Sequence, residues 1–346
     1  MSFTFYAALS QCSSSIRQTC ARLANGYGSL DPLEHVMFTP IAQGESAHTT
    51  IKNLQDRYGI NIMFDSGGYE VQVGNTTFDE LQAYLHDFYA NNQWGHRYVL
   101  PDNVPISQDS DELVQQKVKQ TADVSALFYR QLPEHFQSKA LAVVQGHIQD
   151  QLQHCLNTYK SLDGLNHIGF GSFGTSGVSN GVNMLTTSAY RNLEWAVDHA
   201  HNAGMTVHAF GVGGPTSIPL LYTAGVDSFD TTSWMRSSGY GNVFFPFKSR
   251  YNASHRKKRG GKLLTKEELP HIKAETGHSC PFCESMEQLR ESRWDRIMHN
   301  LIVIYEMTNR IEEMSHKEIV DAMDEESTYR RRIEKVTPSE KQRVQI

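Results

Sequence analysis

Residues 60–68 read INIMFDSGG, an apolar run that ends on Asp65-Ser66-Gly67-Gly68. An unbroken apolar run of this length fits a strand buried on both faces. A carboxylate and two glycines at its C-terminal end fit a turn that can present chemistry. The same unit recurs along the chain. HVMFTPI at 35–41 leads into Gln43-Gly44, and RYVLP at 97–101 into Asp102-Asn103. ALAVVQG at 140–146 carries Gln145-Gly146, and HIGFGSF at 167–173 carries Gly171-Ser172. TVHAFGVG at 206–213 ends in glycines, and VDSFD at 226–230 ends on Asp230.

Periodic polar and apolar segments at 48–58, 78–91, 110–131, 148–160, 187–203 and 215–224 separate these runs and predict helices. Strand–helix alternation predicts parallel βα units. Seven units favour a closed (β/α) barrel with an eighth strand obscured, and an open doubly wound sheet is the alternative. In a barrel the C-terminal strand ends converge on one face, where active sites lie. One glycine at a strand end is an ordinary turn former; polar and glycine residues at nearly every strand end are a pattern.

The bulk numbers set the bounds. The 346 residues suffice for one large barrel, and 39% hydrophobic with 20% charged residues describes a globular chain. No run approaches the roughly 18 apolar residues of a membrane span. The N-terminal stretch lacks the basic and apolar regions of a signal peptide, and five scattered cysteines argue against a disulfide framework, so a cytoplasmic location is expected. The net charge of −6 weighs against a polyanion binder, but residues 249–262 hold Arg250, Arg256, Lys257, Lys258, Arg259 and Lys262. Such a patch can supply phosphate affinity on an acidic protein; a solvated loop is the plain alternative.

Beyond residue 231 the alternation breaks. The domain organisation expected is a barrel over 1–245, a zinc-binding subdomain with one long helix (284–315) over 246–315, and a charged helix and tail over 316–346. The zinc expectation rests on His278-Ser279-Cys280-Pro281-Phe282-Cys283, where a CxxC turn offers two thiolates and His278 a third ligand. His299, sixteen residues after Cys283, can close the tetrahedron. Four protein ligands with no open position make a structural site. A redox CxxC or two buried cysteines are the alternatives.

At the mouth, Asp65, Asp102 and Asp230 all stand at strand ends. Paired carboxylates suit nucleophilic attack on an anomeric carbon with proton transfer to the leaving group. Three aspartates can also bind Mg²⁺. Gln145 and the backbone at Gly171-Ser172 suit a purine edge, and Tyr69 and Phe210 can sandwich a flat ring or simply pack.

Together the segments Phe64 to Tyr69, Val144-Gln145-Gly146, Phe210 to Gly213, Gly225 to Asp230 and Cys280-x-x-Cys283 … His299-Asn300-Leu301 resemble the tRNA-guanine transglycosylases over roughly residues 35–310. The resemblance implies a (β/α)8 TIM barrel with a small zinc-binding insertion and a structural Zn²⁺. It implies exchange of guanine for a 7-deazaguanine such as 7-cyano-7-deazaguanine through a covalent aspartyl intermediate. Asp230 then corresponds to the nucleophile and Asp65 to the general acid/base. Asp102, Gln145, Gly171 and Ser172 correspond to base-reading positions, and Tyr69 and Phe210 to ring-stacking ones.

The chain departs from that pattern in four places. His278 stands for a cysteine in the zinc triplet, the spacing from there to His299 is shorter than usual, and Ser172 stands for the second glycine of the base-binding pair. After Asp230 the tRNA enzymes' stretch is replaced by Thr231-Thr232-Ser233-Trp234-Met235-Arg236. With no room for an appended RNA-binding domain of the archaeal type, the chain is most similar to the branch that inserts 7-deazaguanines into DNA. Arg236, with Arg256, Lys257, Lys258 and Arg259, would contact the nucleic acid, and Trp234 or Tyr240 can stack an unpaired base or simply be core. The partners expected are nucleic acid, DNA over tRNA, and the free base, with a homodimer as a further expectation. A queuosine-type tRNA enzyme, a non-catalytic nucleic-acid-binding partner subunit, and an unrelated glycosidase or Mg²⁺ lyase are the competing readings.

Overall fold

The computed structural model describes residues 2–171, 186–254 and 261–335. Eight parallel strands close into a barrel in sequential order: β1 (Thr4–Ala8), β2 (His35–Phe38), β3 (Asn61–Phe64), β4 (Arg97–Val99), β5 (Ala140–Val144), β6 (His167–Phe170), β7 (Thr206–Ala209) and β8 (Ser228–Thr231). The obscured strand is β1. Its TFYAA stretch pairs with both β2 and β8, and the register Tyr6 to Asp230 closes the ring. The open-sheet alternative is thereby excluded.

Both strand faces are buried, which is why the runs read as continuously apolar. Tyr6, Ala8, Met37, Met63, Val99, Leu141 and Val143 fill the lumen, with Phe210 packed against them. Their strand neighbours, among them Val36, Phe38, Ile62, Phe64, Tyr98, Ala142, Ile168, Val207 and Phe229, join the larger core beneath the helices.

The helices are α1 (Ser13–Arg22), α2 (Glu45–Tyr58), α3 (Gly68–Gln72), α4 (Phe78–Asn91), α5 (Asp111–Gln131), α6 (Glu134–Gln137), α7 (Gln149–Lys160), α8 (Thr187–His201), α9 (Ile218–Thr223) and α10 (Ser233–Gly239). A small sheet of β9 (Asn242–Val243), β10 (Tyr251–Asn252) and β11 (Lys262–Leu263) follows, then α11 (Glu268–Thr276), α12 (Met286–Glu291), α13 (Arg293–Ile311), α14 (His316–Ala322) and α15 (Arg330–Ile333). The single helix expected over 284–315 is two. Ser292 leaves helical geometry (φ −94°, ψ 110°), and its side chain accepts a hydrogen bond from Asp295 N, capping a new helix. Helix α13 packs against β1, α9 and α10. All five cysteines are free. Among the described residues no helix is long and apolar enough to cross a membrane.

Candidate active site and metal centre

Strand direction and register decide what meets at the barrel mouth. Asp230 lies on β8 opposite Tyr6 of β1 and is 1% exposed. One of its oxygens, Oδ1, is held twice. Gly211 N donates to it at 2.6 Å, and His208 Nε2 lies 3.3 Å away. Gly211 has φ +63°, a conformation that favours glycine, and it sits in the turn that aims this N–H at the carboxylate. His208 is itself anchored, its Nδ1 lying 2.9 Å from Ser228 Oγ.

Asp65 follows β3. Its Oδ2 accepts from Thr39 Oγ1 at 2.9 Å, and Thr39 in turn accepts from Ser10 Oγ at 3.0 Å. Burial pushes the Asp65 carboxyl up to about 6; the Thr39 hydrogen bond opposes that and the Asp230 charge adds to it. Asp102, 6% exposed just beyond β4, accepts a hydrogen bond from Ser66 Oγ. Burial pushes it to about 7, against the Ser66 bond and with help from the Asp65 charge. The mouth therefore gathers three carboxyl groups, and two of them have affinities for a proton near neutrality. Such groups can exchange protons with a leaving base at working pH.

Gln145 is buried behind this row. Its Nε2 donates to Asn103 O at 2.7 Å and Thr121 Oγ1 at 2.6 Å, so Oε1 is the atom it can offer. Phe210 lies over β6, where Gly169 leaves it room: a Cβ at Gly169 would sit 2.0 Å from its ring. Among the described residues, a Cβ at Gly171 would meet nothing nearer than Val143 Cγ1 at 3.9 Å. Tyr69, on α3 directly after Gly68, is 48% exposed. Asp65, Asp102, Asp230, Gln145, Gly171, Phe210 and Tyr69 thus all belong to the strand-end face.

Ser172 and Arg256, Lys257, Lys258 and Arg259 lie outside the described residues. Arg236 is exposed on α10. Trp234 is not a stacking residue. It is fully buried and donates Nε1–H to Thr231 O at 2.9 Å, because the first turn of α10 faces inward against α13. Sequence reading passed over His208, Thr39 and Ser66. For His208 a signal existed: strand alternation places it on the same face as Phe210, two residues away.

The second cluster is His278, Cys280, Cys283 and His299, all buried, with ligand atoms within 4.8 Å of one another. Cys280 Sγ lies 3.5 Å from Cys283 Sγ and 3.4 Å from His299 Nδ1, and His278 Nε2 lies 3.3 Å from His299 Nδ1. A tetrahedron with bonds of about 2.0–2.3 Å has edges of about 3.3–3.8 Å, so the spacing fits zinc. The outer ring nitrogens are engaged elsewhere. His278 Nδ1 meets Glu306 Oε2 at 2.7 Å, and His299 Nε2 meets Phe244 O at 2.6 Å. That turns the remaining nitrogen of each ring toward the centre. The cluster can bind a metal such as zinc with no position left for substrate. Among the described residues no second group of three or more such side chains converges in this way.

The chain matches the family model described as queuine tRNA-ribosyltransferase over residues 98–329. It belongs to that family and so to the tRNA-guanine transglycosylase superfamily. This makes it a base-exchange glycosyltransferase acting on nucleic acid and a guanine-type base. No curated protein matches the chain.

Proposed function

We propose that the protein replaces guanine in DNA by a 7-deazaguanine such as 7-cyano-7-deazaguanine, with Asp230 as nucleophile and Asp65 as the proton carrier. The observation that carries this is the Asp230 carboxylate. Gly211 N and His208 hold Oδ1, which leaves Oδ2 to attack, and Asp65 stands within reach of its charge. In the first step Asp230 Oδ2 bonds to C1′ of the target nucleotide. The C1′–N9 bond breaks, and the departing guanine takes the Asp65 proton. In the second step the incoming base gives a proton to Asp65, bonds to C1′, and the Asp230 ester breaks. Two displacements retain the sugar configuration. His208 is a positioning residue for Asp230. Asp102 and the Gln145 Oε1 read the base edge, and Phe210 and Tyr69 flank the ring. Zn²⁺ held by His278, Cys280, Cys283 and His299 would fix the segment between β8 and α13 without entering the reaction.

DNA is preferred because the segment after Asp230 departs from the tRNA enzymes' pattern and is folded inward. Thr231 Oγ1 and Ser233 Oγ both donate to Gly213 O, and Trp234 is core. A base in a duplex must be extruded to reach the mouth. The family description itself names queuine and tRNA and supports a tRNA substrate as the second reading. One experiment separates them: purified protein with 7-cyano-7-deazaguanine and duplex DNA, single-stranded DNA or tRNA, with nucleosides counted by mass spectrometry. Incorporation into DNA by wild type, and none by Asp230→Ala, is the expected result. Incorporation into tRNA alone replaces the polymer assignment. Nucleic-acid binding without exchange of any 7-deazaguanine points to the non-catalytic partner subunit.

A further inference from the structure

The opposite end of the barrel carries a feature that base exchange does not use. Counting two residues back along β2 to β8 from the lumen positions Met37, Met63, Val99, Leu141, Gly169, His208 and Asp230 gives His35, Asn61, Arg97, Lys139, His167, Thr206 and Ser228. This lowest layer of the lumen is wholly polar, where a barrel ordinarily packs branched apolar side chains. All seven are half-buried, as is His96 beside them. The register places His35 opposite Asn61 and His167 opposite Thr206. The His35 and His96 rings stand 6.3 Å apart, and Tyr6 connects the layer upward, its ring 5.2 Å from His35 and 5.6 Å from His208.

The charge of this layer is one-sided. Among the described residues neither Arg97 nor Lys139 forms an ion pair; the hydrogen bonds recorded for them run to the carbonyls of His96 and Gly95. The carboxylates that reach the layer are Glu34, exposed beside His35, and Asp227, which is bonded to His201 Nε2 and Val207 N at 2.8 Å each. Burial first, then the Arg97 charge, hold His96 and His167 down to about 4, and burial lowers His35. Half-buried cations without a counter-charge are costly. A bound anion would supply that charge, and a guanidinium with an ammonium and neutral imidazoles is a donor set for a tetrahedral oxyanion.

We propose that the N-terminal mouth of the barrel, lined by Arg97, Lys139, His35, His96 and His167, is a binding site for a phosphate-sized oxyanion, separate from the base-exchange site. The ligand is inorganic phosphate or the terminal phosphate of a nucleotide. The test is thermal unfolding of the full chain at constant ionic strength, with sodium chloride replaced by inorganic phosphate in one arm and by a nucleoside monophosphate in the other. Wild type should show a saturable rise of several degrees in Tm. Arg97→Gln and the more conservative Lys139→Gln should lose most of it. A rise with phosphate alone identifies the free ion; a rise in both arms identifies a terminal phosphate group. If Arg97→Gln does not fold, Lys139→Gln and histidine NMR titration of wild type decide. Phosphate should move the His96 and His167 titrations upward by more than one pH unit. No saturable response over chloride in wild type, an undiminished response in the folded variants, or unmoved histidines would overturn the proposal.

Discussion

The strand-end carboxylates and the Cys/His cluster are both buried sets of ionisable groups, yet they are built in opposite ways. At the mouth, Asp65 and Asp102 face neutral hydroxyl donors and one another, so burial raises their affinity for protons. Among the described residues no cation offsets them, and the site holds proton affinities that chemistry can use. In the cluster each ring is fixed from outside by Glu306 or the Phe244 carbonyl, and the four ligand atoms close on one point. Cys280 and the two histidines pull the Cys283 thiol below its ordinary value, which readies it for a cation. One site keeps a reactive position open, and the other leaves none.

The sharpest break in that comparison is Asp230→Ala. Base exchange should fall by roughly 10⁴-fold, about 5–6 kcal/mol of barrier. The circular dichroism spectrum and Tm should stay near wild type, and the denaturation-resistant protein–nucleic acid adduct that wild type should form with its substrate should be absent. Exchange at the wild-type rate would remove Asp230 from the nucleophile's role.

The cluster should respond in stability. Cys283→Ser, or treatment with a strong chelator, should cost on the order of 5 kcal/mol and release metal measurable by mass spectrometry. A zinc content of zero in protein purified without chelator would contradict a metal site.

Removing a stored charge should do the reverse at the mouth. The Asp102 carboxyl has its folded value raised to about 7 from 3.8. The folded state therefore binds the proton more tightly, and stability from this group is lost as pH rises from about 4 through about 7. Asp102→Asn keeps an acceptor for Ser66 and should stabilise the protein by about 2–4 kcal/mol at pH 8, with little effect at pH 4. Equal Tm changes at both values would show that burial is not the cause.

A smaller effect is expected at His208. His208→Phe should lower kcat by about 10- to 100-fold with KM little changed, the worth of one hydrogen bond to a charged group. His208→Gln, still able to donate, should recover part of it; a residue that merely fills space would show no such recovery. The mildest expectation is in pH. In the proposed first step Asp65, raised to about 6, gives its proton to the departing guanine. The kcat/KM for nucleic acid should therefore fall about tenfold per pH unit above 6, and Asp65→Asn should flatten that slope.

The sequence showed most of the barrel because burial on both faces writes itself as apolar runs, and seven of eight strands were legible that way. Strand β1 was not, since TFYAA is short and lies beside a serine-rich stretch. It is a strand because β2 and β8 leave unpaired edges that only it can close. The break at Ser292 was also hidden, because the apolar spacing runs on through the cap.

The strand-end carboxylates and the four residues of the Cys/His cluster were readable from residue type and position, since chemistry of the kind proposed restricts both. Their surroundings were not. That His208 touches Asp230, that Thr39 and Ser66 hold the other two aspartates, and that Trp234 turns inward depend on which strands are neighbours around the ring. The one-sided basic layer at the far mouth depends on it too, because its members come from strands spread between residues 35 and 167. A linear chain states which groups are present; only barrel closure and register decide which of them share a face, and proton affinity follows from those neighbours.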